Sequence, residues 1–298
     1  MRNALHGSFI NLNRVFMNRI KLCLVLFLQT ALLFSQKNFS FVYLPDIHLR
    51  PDSAVVAGFE NIAGRVNKLH PDFVLTGGDM IYTAKNVNDK KAEVLFDLMD
   101  KEFRLFKMPV HMTIGNHEHV GITGETGIDK TNPNWGKQMY EKRYGNSYYA
   151  FVYDGWKFFV LDGIRILEKE KDYTQGIDSA QIRWIKSELD VTGKEMPLVI
   201  SIHTPIINPH AITSSESRAI TPEIEAVMNL FKSHNLKLVL EGHTHLYMYL
   251  YFHGIYYISG GSTAYGTDEP DDGFVLVSVK NNNLRISFNK PSGRQLKN

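Results

Sequence analysis

Cysteine is nearly absent: the chain of 298 residues has one, Cys23. It lies inside an apolar N-terminal run, so the remainder has no thiol for a disulfide framework, a thiolate zinc site or a cysteine nucleophile. An excess of either charge is also missing. With 33 Lys and Arg against 31 Asp and Glu, no strong net field draws the chain to nucleic acid or to an acidic surface. No internal repeat, low-complexity segment or linker divides it. Only one long apolar run occurs, residues 22–34, and it falls short of the about 20 residues that a comfortable membrane helix needs.

That run has the form of an export signal. Residues 1–36 carry Arg2, Arg14, Arg19 and Lys21 and no acid, giving a basic segment followed by an apolar one. Without them the chain is near neutral, 29 basic against 31 acidic. The expectation is a signal peptide or N-terminal anchor over 1–36 and a single domain over 37–298. Any membrane association would come through that segment if it stays uncleaved. Cleavage near Ser35-Gln36 lacks an Ala-x-Ala pattern, and Cys23 has no small residues before it of the kind a lipoprotein anchor uses. An exported chain without disulfides fits a bacterial periplasm better than a eukaryotic secretory route.

The remaining residues are enough for one α/β domain. Val55, Phe59, Ile62, Val66 and Leu69 recur at helical spacing and predict a helix over 53–69. A second helix is expected over 89–106, a third after the N-cap Asp178, and a fourth from Thr221-Pro222. Asp154-Gly155 joins two β-type runs, 148–153 and 156–161, as a hairpin. Further strands are expected at 73–76, 110–114, 198–202, 238–240, 246–252, 255–259, 274–279 and 284–288. Two stretches, 120–144 and 205–220, lack this rhythm and are candidates for binding loops. They contain Trp135, His210, Ser214, Ser215 and Arg218, the last a candidate phosphate contact.

Five apolar, strand-like runs end in Asp, His or Asn. The clusters are Asp46 and His48; Gly78-Asp79; Gly115-Asn116-His117-Glu118; His203; and Gly242-His243-Thr244-His245. Open α/β sheets build sites at such strand ends, where a rigid scaffold holds accessible side chains. Asp46, His48, Asp79, Asn116, His203, His243 and His245 offer carboxylate, carboxamide and imidazole donors. The set is too large for one ion and suits two, of Mn, Fe or Zn type. Two such ions can each take an ester oxygen and share a hydroxide. Asp79, central in the series, is the natural bridging carboxylate. His117 follows Asn116 directly and is expected to point away from the ligands, toward substrate, as a cationic imidazole that assists the leaving oxygen.

In order and register these blocks resemble the five-part signature of the calcineurin-like metallophosphoesterases, over residues 41 to about 261. The resemblance implies a four-layer α/β/β/α sandwich of two mixed sheets flanked by helices. It also implies a dinuclear centre, with Asp46, His48, Asp79 and His245 on one ion and Asp79, Asn116, His203 and His243 on the other. His117 then faces the substrate, and Glu118 orients it or the loop. Gly78-Asp79-x-x-Tyr82 is similar to the Gly-Asp-x-x-Tyr block of purple acid phosphatases, whose tyrosine binds ferric iron. That family lacks a histidine in its first block; with His48 present, Tyr82 is expected beside the metals or in the pocket. The Asp-x-His form is shared with cyclic-nucleotide phosphodiesterases.

The function expected is an exported, dinuclear-metal hydrolase of small-molecule phosphoric esters, in which a metal-bridging hydroxide attacks phosphorus in line. The alternatives are a phosphodiesterase for cyclic nucleotides or other diesters, and a metal-binding module without turnover. The loop cations Lys130, Lys137 and Arg218 are scattered and form no aromatic-basic track for nucleic acid.

Overall fold

The computed structural model describes residues 38–207, 222–263, 273–290 and 295–297. The N-terminal segment, His210, Ser214, Ser215 and Arg218 lie outside the described residues. Two six-stranded sheets dominate. The first has the order β14-β13-β12-β1-β2-β3, from β1 (Phe39–Leu44), β2 (Phe73–Thr76), β3 (Val110–His111), β12 (Phe274–Lys280), β13 (Asn283–Asn289) and β14 (Gln295–Lys297). The second has the order β10-β11-β9-β8-β5-β4, from β4 (Tyr149–Tyr153), β5 (Trp156–Leu161), β8 (Pro197–Ile202), β9 (Asn235–Glu241), β10 (Tyr247–Phe252) and β11 (Ile255–Gly260). Both are mixed: β1, β2 and β3 run parallel, as do β5, β8, β9 and β11, while the outer partners run antiparallel.

Alternation along β1 defines the layers. Phe41 and Tyr43 point between the sheets, onto Phe73, Phe158 and Leu240. Val42 and Leu44 point the other way, into a core shared with α1 (Ser53–Leu69) and α2 (Asp89–Phe103). A third core packs Phe159, Ile200 and Val239 against α4 (Ser179–Asp190) and α5 (Pro222–Phe231). The result is the expected α/β/β/α sandwich. Strands buried on both faces read as unbroken apolar runs because both neighbours are apolar layers.

Local chemistry sets the helix ends. The Asp52 carboxylate accepts from the N–H groups of Ala54 and Val55, and that of Asp178 from Gln181, each capping a first turn. α1 buries Val55, Phe59, Ile62 and Val66 as predicted, while Leu69 stays exposed. α2 stops at Phe103, short of 106, because the Leu105 and Phe106 N–H groups bond three residues back, to Glu102 and Phe103, tightening the last turn before Pro109. The strand expected over 110–114 narrows to Val110–His111. Its next N–H groups turn to side chains, Met112 to the Tyr149 hydroxyl and Thr113 to the Thr76 hydroxyl.

The irregular stretch 120–144 is a built loop. Val120 and Gly136 exchange two backbone hydrogen bonds of 2.8 Å, and the Trp135 indole donates to the Gly121 carbonyl. It ends in a helix the sequence did not signal, α3 (Gln138–Tyr144). Beside it stands a hairpin, also unforeseen, of β6 (Ile164–Leu167) and β7 (Asp172–Gln175). None of the helices among the described residues is long and apolar enough to cross a membrane.

Candidate metal centre

The clusters after β1, β2, β8 and β9 meet at the carboxyl ends of these parallel strands, with the turn Asn116–Glu118 closing the group. Five of the seven candidate ligands, Asp46, His48, Asp79, His243 and His245, have left-handed backbone, with φ from 49° to 70°. Such conformations cost on the order of 1–3 kcal/mol each for a residue with a side chain and persist where surrounding structure imposes them. Their concentration on these residues marks a site. The glycines serve close approach. A Cβ on Gly115 would stand 2.3 Å from Asp79 Oδ1, and one on Gly242 2.6 Å from Asp46 Oδ2.

Donor atoms converge in three overlapping groups, each within 4.8 Å: Asp46, His48 and His245; His48, Asp79 and His117; Asp79, His203 and His243. Asp79 and His48 each belong to two. In the first group the Nε2 atoms of His48 and His245 face each other at 3.0 Å, and Asp46 Oδ1 lies 3.4 Å from His245 Nε2. In the third, Asp79 Oδ2 is 3.2 Å from His203 Nε2. Asn116 Oδ1 sits 3.0 Å from His203 Nε2 and 3.1 Å from His243 Nδ1. His203 donates its Nδ1–H to the Gly77 carbonyl at 2.7 Å, which turns Nε2 inward, the arrangement that orients metal-binding histidines. Buried oxygen and imidazole donors aimed at one another fit a pair of borderline cations.

Burial and charge are unevenly distributed. Burial opposes the charge of Asp79, but the neighbouring His203 and His117 outweigh it and hold the carboxyl well below its usual range. Burial likewise opposes charge on His203, and Asp79 overcomes it, raising the imidazole to about 10. Burial, with the charge of His203, lowers His243 to about 4. His48 is lowered by burial and His245 raised by its hydrogen bond to Asp46.

His117 departs from expectation. It lies within ligand reach of His48 and Asp79, its Nε2 3.7 Å from Asp79 Oδ2 and its ring centroid 4.7 Å from that of His48. The reason is the tight turn over Asn116–Glu118, together with a hydrogen bond from its Nδ1 to the Tyr82 carbonyl. Burial lowers it to about 4, so without metal it is a neutral imidazole at pH 7 rather than the cation expected.

Glu118 organises the loops. One oxygen accepts from the N–H groups of Met80 and Ile81, the other from those of Asp79 and Gly115. Burial, then the charge of Asp79, push its carboxyl up to about 7 against these donors. Tyr82 is 49% exposed, with the Arg50 guanidinium 5.1 Å from its ring centroid. Lys130 and Lys137 are paired with Glu168 and Asp162.

Three residues escaped the sequence reading. Glu241, immediately before Gly242, is fully buried and accepts from the Ile206 and Ile207 N–H groups, tying the segment after His203 to β9. Burial pushes it up to about 8. Lys85, six residues after Asp79, places its ammonium 5.3 Å from the ring centroid of Tyr173 on β7. Nothing local in the sequence marks either of that pair. A cavity of about 640 Å³ opens between the 121–135 loop and the β6–β7 turn, lined by Trp135, Ile128, Glu168 and Lys171 among others; none of the seven candidate ligands lines it.

This double sheet between helices, with carboxylate and imidazole donors clustered at its strand ends, is an arrangement that the metal-dependent phosphoester hydrolases share, and the family match places the chain in that class. The chain belongs to the calcineurin-like phosphoesterase family, whose sequence profile matches residues 39–247. Human tartrate-resistant acid phosphatase type 5 is 22% identical over 282 residues, spanning 81% of this chain and 82% of the human protein. Among solved structures, a dimetal phosphatase of Danio rerio aligns over 87% of this chain and 98% of its own, at TM-score 0.66 and 14% identity. A purple acid phosphatase from yellow lupin seeds aligns over 88% of this chain and 53% of its own, at TM-score 0.63 and 13% identity. These two share the fold.

Proposed function

We propose that the chain is an exported phosphatase that hydrolyses small phosphoric monoesters at a two-metal centre. The observation that carries this reading is the carboxylate of Asp79, held jointly by a His48 group and a His203–His243 group at the meeting of five strand-end clusters. Asp46, His48, Asp79 and His245 would hold one ion, and Asp79, Asn116, His203 and His243 the other, of Mn, Fe or Zn type. When bound, two such ions supply Lewis acidity to the ester oxygens and an acidified water as nucleophile.

The remaining work falls to side chains of this chain. His203 Nε2 is aimed by its bond to Gly77, and Asp46 is steadied by the His243 N–H. Glu118 holds the Asp79 and Asn116 turns in register. With Nδ1 committed to the Tyr82 carbonyl, His117 presents Nε2 beside Asp79; neutral in the free protein, it could give a proton to the leaving oxygen once a bound phosphoryl anion favours its charged form. The similarity to tartrate-resistant acid phosphatase type 5 supports the phosphatase reading. Export rests on the basic and apolar pattern of residues 1–36.

Metal analysis and a substrate panel test the reading. The purified protein should hold two metal ions per chain and hydrolyse p-nitrophenyl phosphate with Mn added, with weak activity on cyclic AMP and on single-stranded DNA. His117→Ala should retain its metals while kcat falls by roughly 10²- to 10⁴-fold. A tenfold preference for DNA, or loss of metal from His117→Ala, would overturn the corresponding assignment.

A further inference from the structure

We propose that Glu241 is the positioning residue for the ion assigned to Asn116, His203 and His243, a reading that rests on the two-metal function proposed above. Glu241 is the last residue of β9, directly before Gly242-His243, and it is fully buried. One carboxylate oxygen accepts from the Ile206 N–H at 2.9 Å and from the Ile207 N–H at 3.3 Å. The Gly242 N–H, one residue on, donates to the His203 carbonyl at 2.9 Å. These three bonds clamp the ends of β8 and β9 together just past Ser201 and Leu240, the last residues the two strands pair. The two histidines that leave the clamp, His203 and His243, share one donor group with Asp79.

The clamp lies against the bond that aims a ligand. A Cβ on Gly242 would stand 3.0 Å from the Gly77 carbonyl oxygen and 3.2 Å from His203 Nδ1, the two atoms whose own hydrogen bond of 2.7 Å turns His203 Nε2 inward. The second oxygen of Glu241 is buried and has no hydrogen-bond partner among the described residues. A buried acid satisfied on one oxygen only costs stability relative to an apolar side chain of the same volume, so packing alone does not account for it. What an apolar side chain cannot supply is the pair of bonds to the segment after His203. The other donors are fixed differently. The N–H groups of Asp46 and His48 donate to the Gly78 and Asp79 carbonyls at 3.1 and 2.9 Å, and Glu118 holds the Asp79 and Asn116 turns. None of these bonds involves Glu241, so its loss is felt at one ion.

The test compares Glu241→Met, which keeps the volume and removes the acceptor, with Glu241→Gln, whose amide oxygen accepts the same two bonds whether the carboxyl it replaces is charged or neutral. Calorimetric manganese titration of the wild type should show two sites. In Glu241→Met one site should weaken by roughly ten- to a hundredfold, the usual effect of losing a group that orients a ligand, while the other changes by less than about threefold. The weakened site should be the one that His203→Ala abolishes, and Glu241→Gln should bind both ions as the wild type does. Hydrogen exchange of the metal-free proteins tests the clamp without metal. The Ile206, Ile207 and Gly242 amides should exchange roughly tenfold faster or more in Glu241→Met than in wild type or Glu241→Gln, with β1 and β2 unchanged. Both ions held as tightly in Glu241→Met, both weakened equally, or unchanged exchange at the three amides would overturn the assignment. A wild type that holds fewer than two ions would refute the two-metal reading instead, with the exchange result still deciding whether Glu241 joins the two strand ends.

Discussion

Replacing Glu118 by Gln keeps the size and shape of a fully buried side chain and removes one acceptor. In the native site one oxygen takes the Met80 and Ile81 N–H groups at 2.7 and 3.2 Å, and the other takes those of Asp79 and Gly115 at 3.0 and 2.7 Å. Glutamine has a single acceptor oxygen. Set on Met80 and Ile81, it turns its NH₂ onto the Asp79 and Gly115 N–H groups, donor against donor. Two charge-assisted bonds at roughly 1.5–3 kcal/mol each are lost, a total of about 3–6 kcal/mol against the about 5–15 kcal/mol by which a whole domain is stable. The affected N–H groups belong to Asp79 and to the residue before Asn116, so metal affinity should fall with stability. Urea unfolding of the metal-free variant and wild type measures the first effect, at pH 8 so that Glu118, at about 7, is ionised. Manganese titration measures the second. If the variant unfolds within about 0.5 kcal/mol of wild type, the range of an ordinary surface change, and binds metal equally well, Glu118 does not hold these loops.

His203 is raised from 6.5 to about 10 in the metal-free protein, so it is protonated at pH 7.5 and must give up that proton to become a ligand. Manganese uptake should release about one proton there, read by calorimetry in two buffers of different ionisation enthalpy; a buffer-independent heat would refute this. The same shift sets a stability trend. A raised folded pKa contributes stability that is whole below 6.5 and lost as pH climbs toward 10, so the Tm of the metal-free protein should fall between pH 8 and 10, and His203→Gln should lack this fall. Finally, a tyrosinate on ferric iron is coloured, whereas Tyr82 is half exposed against the Arg50 guanidinium. Colourless protein is expected, with Tyr82→Phe keeping its metals and His48→Ala losing at least one; a purple protein bleached by Tyr82→Phe would place Tyr82 on the metal.

The linear chain carried the class of fold and a list of candidate metal donors. Strand-end Asp, His and Asn can be read directly because each block is local: an apolar run, then a glycine or turn, then a donor within a few residues. Helix α1 was legible for the same reason, its apolar spacing and its Asp52 cap lying within one continuous stretch. The layer assignment of β1 was not, since a strand buried on both faces shows no alternation, and only packing separates Phe41 from Val42. Tertiary structure alone decided the rest. It made Glu118 an acceptor for N–H groups some 38 residues away in sequence, and it fell to the turn after Asn116 to swing His117 in over Asp79. It set Lys85 on a ring 88 positions further along the chain. These relations depend on loops that meet in space after closing long stretches of chain, and no local spacing encodes which of them will meet.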